Sequence, residues 1–300
     1  MRVLVLGATG FIGNGVAQAF VRNGHFVYGQ TRSSSKAAQL AAQEMTPVVA
    51  DPTKPETWTQ LLQDDVDLVI DCSASMADLK SLAESIVSAV KEAGKKRPSG
   101  YPPLNIIYTS GTWNHGNNRT KIVTELSPTT SPMELVAWRS AVEKTVLGAP
   151  EVNGIVIRPG LLYGYSASLL ATLFEQAEAT KQVSWYGKPG GRLGAIHIDD
   201  LADLYLRVGE ASPTLKGIVF DVVNPASEST DDVLRAIARV TGADPNIVYK
   251  EITNPFEACM ASSQICPPSL GRALLGWFPK KRSLVDGMDQ YYAAWKASRS

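Results

Sequence analysis

The residues best placed to do chemistry stand at the start of the chain. Gly7-Ala8-Thr9-Gly10-Phe11-Ile12-Gly13 follows an apolar run at 3–6 and opens a stretch with helical apolar spacing. Between a strand and a helix, such a glycine triplet shapes an anion cradle. The first glycine makes the tight turn and the second lets backbone N–H groups approach a pyrophosphate. The third lets the helix pack closely on the strand. The helix N-terminus adds roughly half a positive charge. Gly7, Thr9, Gly10, Phe11, Ile12 and Gly13 are therefore expected to hold the phosphates of a dinucleotide. A merely tight turn is the alternative.

A second feature bears on which dinucleotide. Sites that hold the ribose 2′-OH of NAD carry an acidic residue at the end of the second strand. Here the chain reads Gly29-Gln30-Thr31-Arg32-Ser33-Ser34-Ser35-Lys36, without a carboxylate. Arg32 can fork onto a 2′-phosphate, and Thr31 and Ser33 add hydroxyl donors. The expectation is NADP(H) in preference to NAD(H). The competing reading makes Arg32 a solvated turn residue.

These residues need a scaffold, and the pattern of the first half supplies one. Short apolar runs at 3–6, 26–28, 47–49, 68–71, 104–108 and 154–157 alternate with helical stretches at 11–22, 36–43, 56–62, 76–93 and 132–147. Strands apolar on both faces and separated by helices describe a parallel sheet covered on two sides. The expected class is α/β, a doubly wound parallel (Rossmann) sheet with a smaller C-terminal substrate-binding lobe. Past about residue 160 the alternation breaks down. A helix at 168–179, a strand at 183–186, a glycine-rich turn at 188–192 and a unit at 196–207 follow. A further strand at 217–222 could join the sheet, and helices are expected near 230–241 and 286–297. The division read from this is 1–165 plus 196–226 for the dinucleotide-binding domain, and 166–195 plus 227–300 for the substrate-binding lobe.

Bulk properties remove other classes. The 300 residues carry 29 Lys+Arg and 29 Asp+Glu, a formal net charge of zero, which leaves no electrostatic footprint for nucleic acid. The densest basic run, Lys95-Lys96-Arg97, reads as a solvated helix end. No apolar stretch approaches the roughly 20 residues that span a bilayer. Cys72, Cys259 and Cys266 show no CxxC spacing and there are no clustered histidines, so neither a disulfide framework nor a metal site is expected. Met1-Arg2 runs directly into Val-Leu-Val-Leu-Gly, which is too short for a signal-peptide core, and the expected compartment is the cytoplasm.

The glycine motif resembles that of the extended short-chain dehydrogenase/reductase family, the epimerase/dehydratase-like branch. Further motifs match in order: Asp51 after the third strand, Asp71-Cys72-Ser73-Ala74 after the fourth and Tyr108-Thr109-Ser110-Gly111 after the fifth. Arg158-Pro159-Gly160-Leu161-Leu162-Tyr163-Gly164 and His197-Ile198-Asp199-Asp200-Leu201-Ala202 complete the series. The resemblance implies Asp51 near the adenine, Ser73, Ala74 and Ser110 along the cofactor, and Pro159 beside the nicotinamide. The chain departs from the family at its acid/base pair, Tyr-x-x-x-Lys. Aligning Ala141-Val142-Glu143 puts Leu135 at the tyrosine and Arg139 at the lysine, an atypical subgroup. The literal Tyr292–Lys296 lies in the tail, far from that position.

Leucine donates no proton, and arginine stays charged. Arg139 is read either as a residue orienting the ribose or an oxyanion, or as a helix partner of Glu143. Substitute proton donors are His115, imidazole being a side chain suited to proton shuttling, Thr112 and Tyr163, each weighed against a structural role. Asp199 and Asp200 read as a helix N-cap. The expected activity is an NADP(H)-dependent oxidoreductase acting on a small organic molecule, as a monomer or homodimer. The alternatives are an epimerase, dehydratase or isomerase that recycles its cofactor, and a non-catalytic NADP(H) sensor.

Overall fold

The structure is a computed structural model and describes residues 1–64, 66–74, 78–166 and 168–299. The chain begins β1 (Arg2–Leu6), α1 (Phe11–Arg22), β2 (Phe26–Thr31), α2 (Ala37–Ala42), β3 (Thr46–Val49), α3 (Leu61–Asp64) and β4 (Leu68–Asp71). It continues through α4 (Leu79–Lys95), β5 (Leu104–Thr109), α5 (Arg139–Gly148), β6 (Val152–Pro159) and β7 (Leu161–Tyr163). Then come α6 (Ala171–Thr180), β8 (Gln182–Tyr186), β9 (Arg192–Leu193), β10 (Ala195–His197), α7 (Ile198–Glu210) and β11 (Val219–Val222). The tail holds β12 (Glu228–Ser229), α8 (Thr230–Thr241), β13 (Asp244–Lys250), α9 (Pro255–Met260), α10 (Leu270–Leu275) and α11 (Met288–Ala297).

Seven strands form one sheet in the order β11-β6-β5-β4-β1-β2-β3. The pairs from β3 to β6 are parallel. On the far edge, Val156 donates to Ile218 O and Gly160 to Val222 O, two bonds that advance in the same sense. Strand order reverses between β1 and β4, which opens a crevice at their carboxyl ends, where doubly wound sheets bind ligands. The Rossmann expectation holds, and the strand read at 217–222 does join the sheet.

The chain divides into two compact units. The first comprises Met1–Ser110, Trp138–Ile157 and Ala202–Val219; the second comprises Gly111–Ala137, Arg158–Leu201 and Phe220–Ser300. Packing thus groups 111–137, 158–165, 196–201 and 220–226 with the second unit, where the sequence division had them in the dinucleotide-binding domain. The core of the first unit packs Leu4, Leu6 and Val69 against Leu82, Ile86, Val87 and Val90 of α4 and Val142 and Val146 of α5. Each fully buried aliphatic side chain there contributes roughly 1.5–3 kcal/mol. The second unit has its own core, in which Phe174, Val183, Leu234, Ile237, Met288 and Trp295 converge.

Two helices differ from expectation. The stretch read as one helix over 132–147 is a 3-10 turn, Glu134–Val136, followed by α5 from Arg139. The Met133 N–H bonds the carbonyl of Trp113 at 3.0 Å, a bond outside any helix. The helix read over 76–93 is observed as Leu79–Lys95, capped by the Asp78 carboxylate on the Ser81 N–H; position 76 lies outside the described residues. Among the described residues, no helix is long and apolar enough to cross a membrane.

Candidate cofactor site

The glycine loop lies between β1 and α1 in the first unit. Gly7 has φ +76°, and a Cβ there would meet the Cys72 carbonyl oxygen at 2.6 Å. A Cβ on Gly13 would lie 2.2 Å from the Gly7 carbonyl oxygen, so α1 and the loop meet at a distance only glycine allows. Three loop amides are already engaged: Gly7 N–H on Gln30 Oε1, Ala8 N–H on Gln30 O and Gly10 N–H on Gly7 O. The first turn of α1, at Phe11, Ile12 and Gly13, presents N–H groups with no intrahelical acceptor. Gly10 at the N-cap brings no capping side chain, and the first turn has no acidic residue. An anion is what that positive helix end lacks.

Gln30 is buried and braces the loop, accepting from Gly7 and donating to Ala50 O at 2.6 Å. Thr31, the last residue of β2, is buried, and its hydroxyl accepts from the Ser33 N–H. Arg32 follows immediately. It is exposed and has neither hydrogen bond nor ion pair among the described residues. Asp51, just beyond β3, accepts from the backbone and hydroxyl of Thr53, which hold its pKa below the ordinary value, with Lys54 and Arg32 adding to the effect.

At the end of β4, Asp71 is buried and accepts from both the N–H and the hydroxyl of Ser73. Burial raises its pKa, while the Ser73 bonds and the Arg139 charge oppose the rise. Ala74 is exposed beside it, and Ser110 is buried with its N–H on Ile157 O. Arg139, in the first turn of α5, donates to Thr109 O at 2.9 Å and Tyr108 Oη at 3.2 Å, and lies over the Trp138 ring. The Thr109 hydroxyl is 2.7 Å from the Tyr205 hydroxyl and 3.7 Å from Cys72 Sγ. Burial pushes the Cys72 thiol up to about 12 and the Tyr205 phenol well above its usual value, so both stay protonated near neutral pH. This hydroxyl cluster is not visible in the sequence because Tyr205 is 96 residues from Thr109 and belongs to no motif that points to it.

The other candidates belong to the second unit. Thr112 and His115 share the 3-10 turn Thr112–His115 after β5. Thr112 is buried, and its carbonyl accepts from Gln264 Nε2. The His115 side chain is 1% exposed and its Nε2 is 2.7 Å from Asp221 Oδ2, an interior position rather than an open loop. Tyr163 is buried on β7; its hydroxyl donates to Arg282 O and accepts from Asn224 Nδ2, and burial raises its pKa further. Pro159 is the buried last residue of β6. Leu135, at the family's tyrosine position, sits exposed on the 3-10 turn. Asp199 and Asp200 lie inside the first turn of α7 rather than at its cap. Asp199 pairs with Lys281 and accepts from Tyr165, while Asp200 accepts from the N–H groups of Lys280 and Lys281.

Comparisons with known proteins agree with the cradle. Residues 7–100 match a family model described as NAD(P)H-binding. An epimerase family protein of Arabidopsis thaliana, an SDR39U1 homolog described as chloroplastic, is 24% identical over 237 residues, 73% of this chain and 65% of its own length. Photosystem II assembly factor Ycf39 of Synechocystis sp. is 35% identical over 105 residues, 32% of each protein. The chain therefore spans no more than 65% of the length of these curated relatives. Among solved structures, the dTDP-glucose 4,6-dehydratase of Bacillus anthracis in complex with NAD aligns with a TM-score of 0.83 at 16% identity, over 100% of this chain and 97% of its own. The UDP-glucose 4-epimerase of Thermotoga maritima with UDP-glucose aligns with a TM-score of 0.78 at 17% identity over 100% of both. At these identities the structural likeness is one of fold, and with the matched segment it bears out the resemblance to the extended short-chain dehydrogenase/reductases.

Proposed function

We propose, from the premise of an NAD(P)H-binding segment in an epimerase/dehydratase-type fold, that the protein is an NADP(H)-dependent oxidoreductase acting on a small organic molecule. The observation that carries the cofactor preference is Arg32. Its guanidinium is exposed directly after β2 and has neither hydrogen bond nor ion pair among the described residues, with buried Thr31 and half-buried Ser33 beside it and no carboxylate in the segment 29–36. A 2′-phosphate supplies what a free guanidinium lacks, a bidentate anionic acceptor. The amides of the first turn of α1 then hold the pyrophosphate, and the glycines at 7 and 13 keep the backbone close enough to reach it.

NADP(H), when bound, supplies or accepts the hydride; the protein's residues bind, orient and manage the proton. Arg139, fixed by Thr109 O and Tyr108, holds a permanent positive charge at the carboxyl end of β5. That charge orients a ribose or stabilises an oxyanion but does not deliver a proton near neutral pH. Thr112 and Tyr163 remain the donors we assign to the second unit, the His115 imidazole being closed in on Asp221, with Asp51, Ser73, Ala74, Ser110 and Pro159 as further cofactor contacts.

A second reading rests on Leu135. With a leucine at the family's tyrosine position, the protein on this reading binds NADP(H) without turning it over, as a sensor. NADPH titration followed by a carbonyl and sugar-nucleotide panel separates the readings. Consumption of NADPH in proportion to product supports the reductase, turnover without net consumption supports an epimerase or dehydratase, and binding without turnover supports the sensor. Failure to bind either nicotinamide nucleotide overturns all three.

A further inference from the structure

Inside the second unit, three side chains from distant parts of the chain meet. His115 ends the 3-10 turn after β5, Asp221 lies on β11, and Cys266 directly follows Ile265, which bridges to Ile122. The imidazole Nε2 is 2.7 Å from Asp221 Oδ2, and Cys266 Sγ donates to that same oxygen at 3.2 Å. One ligand atom from each residue lies within 4.8 Å of the other two. The His115 and Asp221 side chains are 1% and 0% exposed, and Cys266 is fully buried.

The hydrogen bonding here is lopsided. Two donors crowd onto one carboxylate oxygen, while Asp221 Oδ1 and His115 Nδ1 have no hydrogen-bond partner although both are buried. Arg158 Nη1, at 3.8 Å from Oδ1, balances the carboxylate charge. Native interiors pair nearly all such atoms, so an arrangement with two left over calls for an explanation.

We propose that His115 Nε2, Asp221 Oδ2 and Cys266 Sγ form a binding site for a zinc-type divalent cation, independent of the nicotinamide cofactor. The nitrogen, oxygen and sulfur donor set suits zinc, which takes such ligands at about 2.0–2.3 Å in tetrahedral geometry and leaves a fourth position for water. The Nε2–Oδ2 and Sγ–Oδ2 distances, 2.7 and 3.2 Å, each need to lengthen by only about half an ångström to reach tetrahedral spacing. On binding, the Sγ–H bond breaks and an Sγ–metal bond forms, with the proton leaving to solvent. The imidazole keeps one proton, which moves from Nε2 to the unpartnered Nδ1. The three ligands carry −1 before binding and, with the cation, zero after it; Arg158 stays positive throughout. The cation would staple the loop after β5 to β11 and to the segment around 266. The ligands stand 106 and 45 residues apart, which is why no local Cys/His spacing announced them.

The test uses the full chain, refolded in the presence of Zn²⁺ or Co²⁺ so that access to the closed interior does not limit loading, then freed of excess metal. The expected result is one ion per chain, a higher thermal midpoint, release of one proton and, with cobalt, a thiolate charge-transfer band. Cys266→Ser should lose that band and bind at least about tenfold more weakly. Folded wild-type protein that takes up neither ion stoichiometrically overturns the proposal and leaves Arg158–Asp221 as a closed charge pair with two neutral donors. Cobalt bound without a thiolate band also overturns it, and this readout requires no variant to fold.

Discussion

Arg139 donates to the carbonyl oxygen of Thr109 at 2.9 Å, fastening the first turn of α5 to the last residue of β5. A helix side chain thus satisfies a strand-end carbonyl at the ligand-binding end of the sheet, and does so with a charge. Removing it strands that carbonyl and the Tyr108 hydroxyl together. Arg139→Ala is expected to destabilise the protein by about 1.5–3 kcal/mol, the range for charged hydrogen bonds. Arg139→Lys should recover part of this, because a single nitrogen, Nη1, makes both bonds. Urea unfolding of the three proteins reads the difference, and equal midpoints would contradict the role.

The proposed cofactor preference rests on Arg32, which lies outside the glycine loop at 7–13. Arg32→Asp should weaken NADPH binding by at least about tenfold, the scale of one charge-assisted contact, and leave NADH binding within a few-fold. Fluorescence titration with both nucleotides measures this directly. An unchanged NADPH/NADH ratio would sink the preference.

Gly13 tests the cradle itself. A methyl group at this position would sit 2.2 Å from the Gly7 carbonyl oxygen, a backbone atom with no side-chain freedom to yield. Gly13→Ala is expected to cost about 1–3 kcal/mol of stability and to abolish binding of either nucleotide. Thermal melts with and without NADPH report both effects; a variant still stabilised by NADPH would show that the loop tolerates the change.

His197 makes the second unit sensitive to acid. Burial holds its pKa below the ordinary value; Lys281 adds to the depression and Asp199 opposes it. A lowered folded-state pKa means the stability it contributes is present above the unfolded value, about 6.5, and is lost as pH falls through the folded one. Wild-type protein should therefore lose more thermal stability between pH 7 and pH 5 than His197→Gln. Parallel curves would refute the assignment.

Much of the first unit was legible because its strands are apolar on both faces and its punctuation is local. The helix read over 11–22 is α1 as observed, bounded by the glycine motif and by Asn23-Gly24. The segment 132–147 was misread because Met133 and Val136 carry helical spacing, while a long-range bond from Met133 to Trp113 is invisible in sequence. β13 was missed for a related reason. A proline reads as a break in a strand pattern, yet Pro245 lies near the start of a strand that pairs parallel with β8, where a missing donor costs little. At the candidate site, residues defined by backbone shape (Gly7, Gly10, Gly13) announce themselves. Residues defined by a distant partner, such as Tyr205, Asp221 and Gln264, do not.

The brace at Gln30 sets a limit on how the nucleotide preference can be changed. Its amide is used in both senses, oxygen toward the Gly7 N–H and nitrogen toward the Ala50 carbonyl. A carboxylate in its place would press oxygen against oxygen at Ala50, and an ammonium would offer Gly7 no acceptor. Position 30 is thereby closed to ionisable side chains of either sign, although it adjoins the segment proposed to meet the ribose. Redesign of the nucleotide specificity has to be confined to positions 32 and 33, which lie beyond β2 outside the buried strand end.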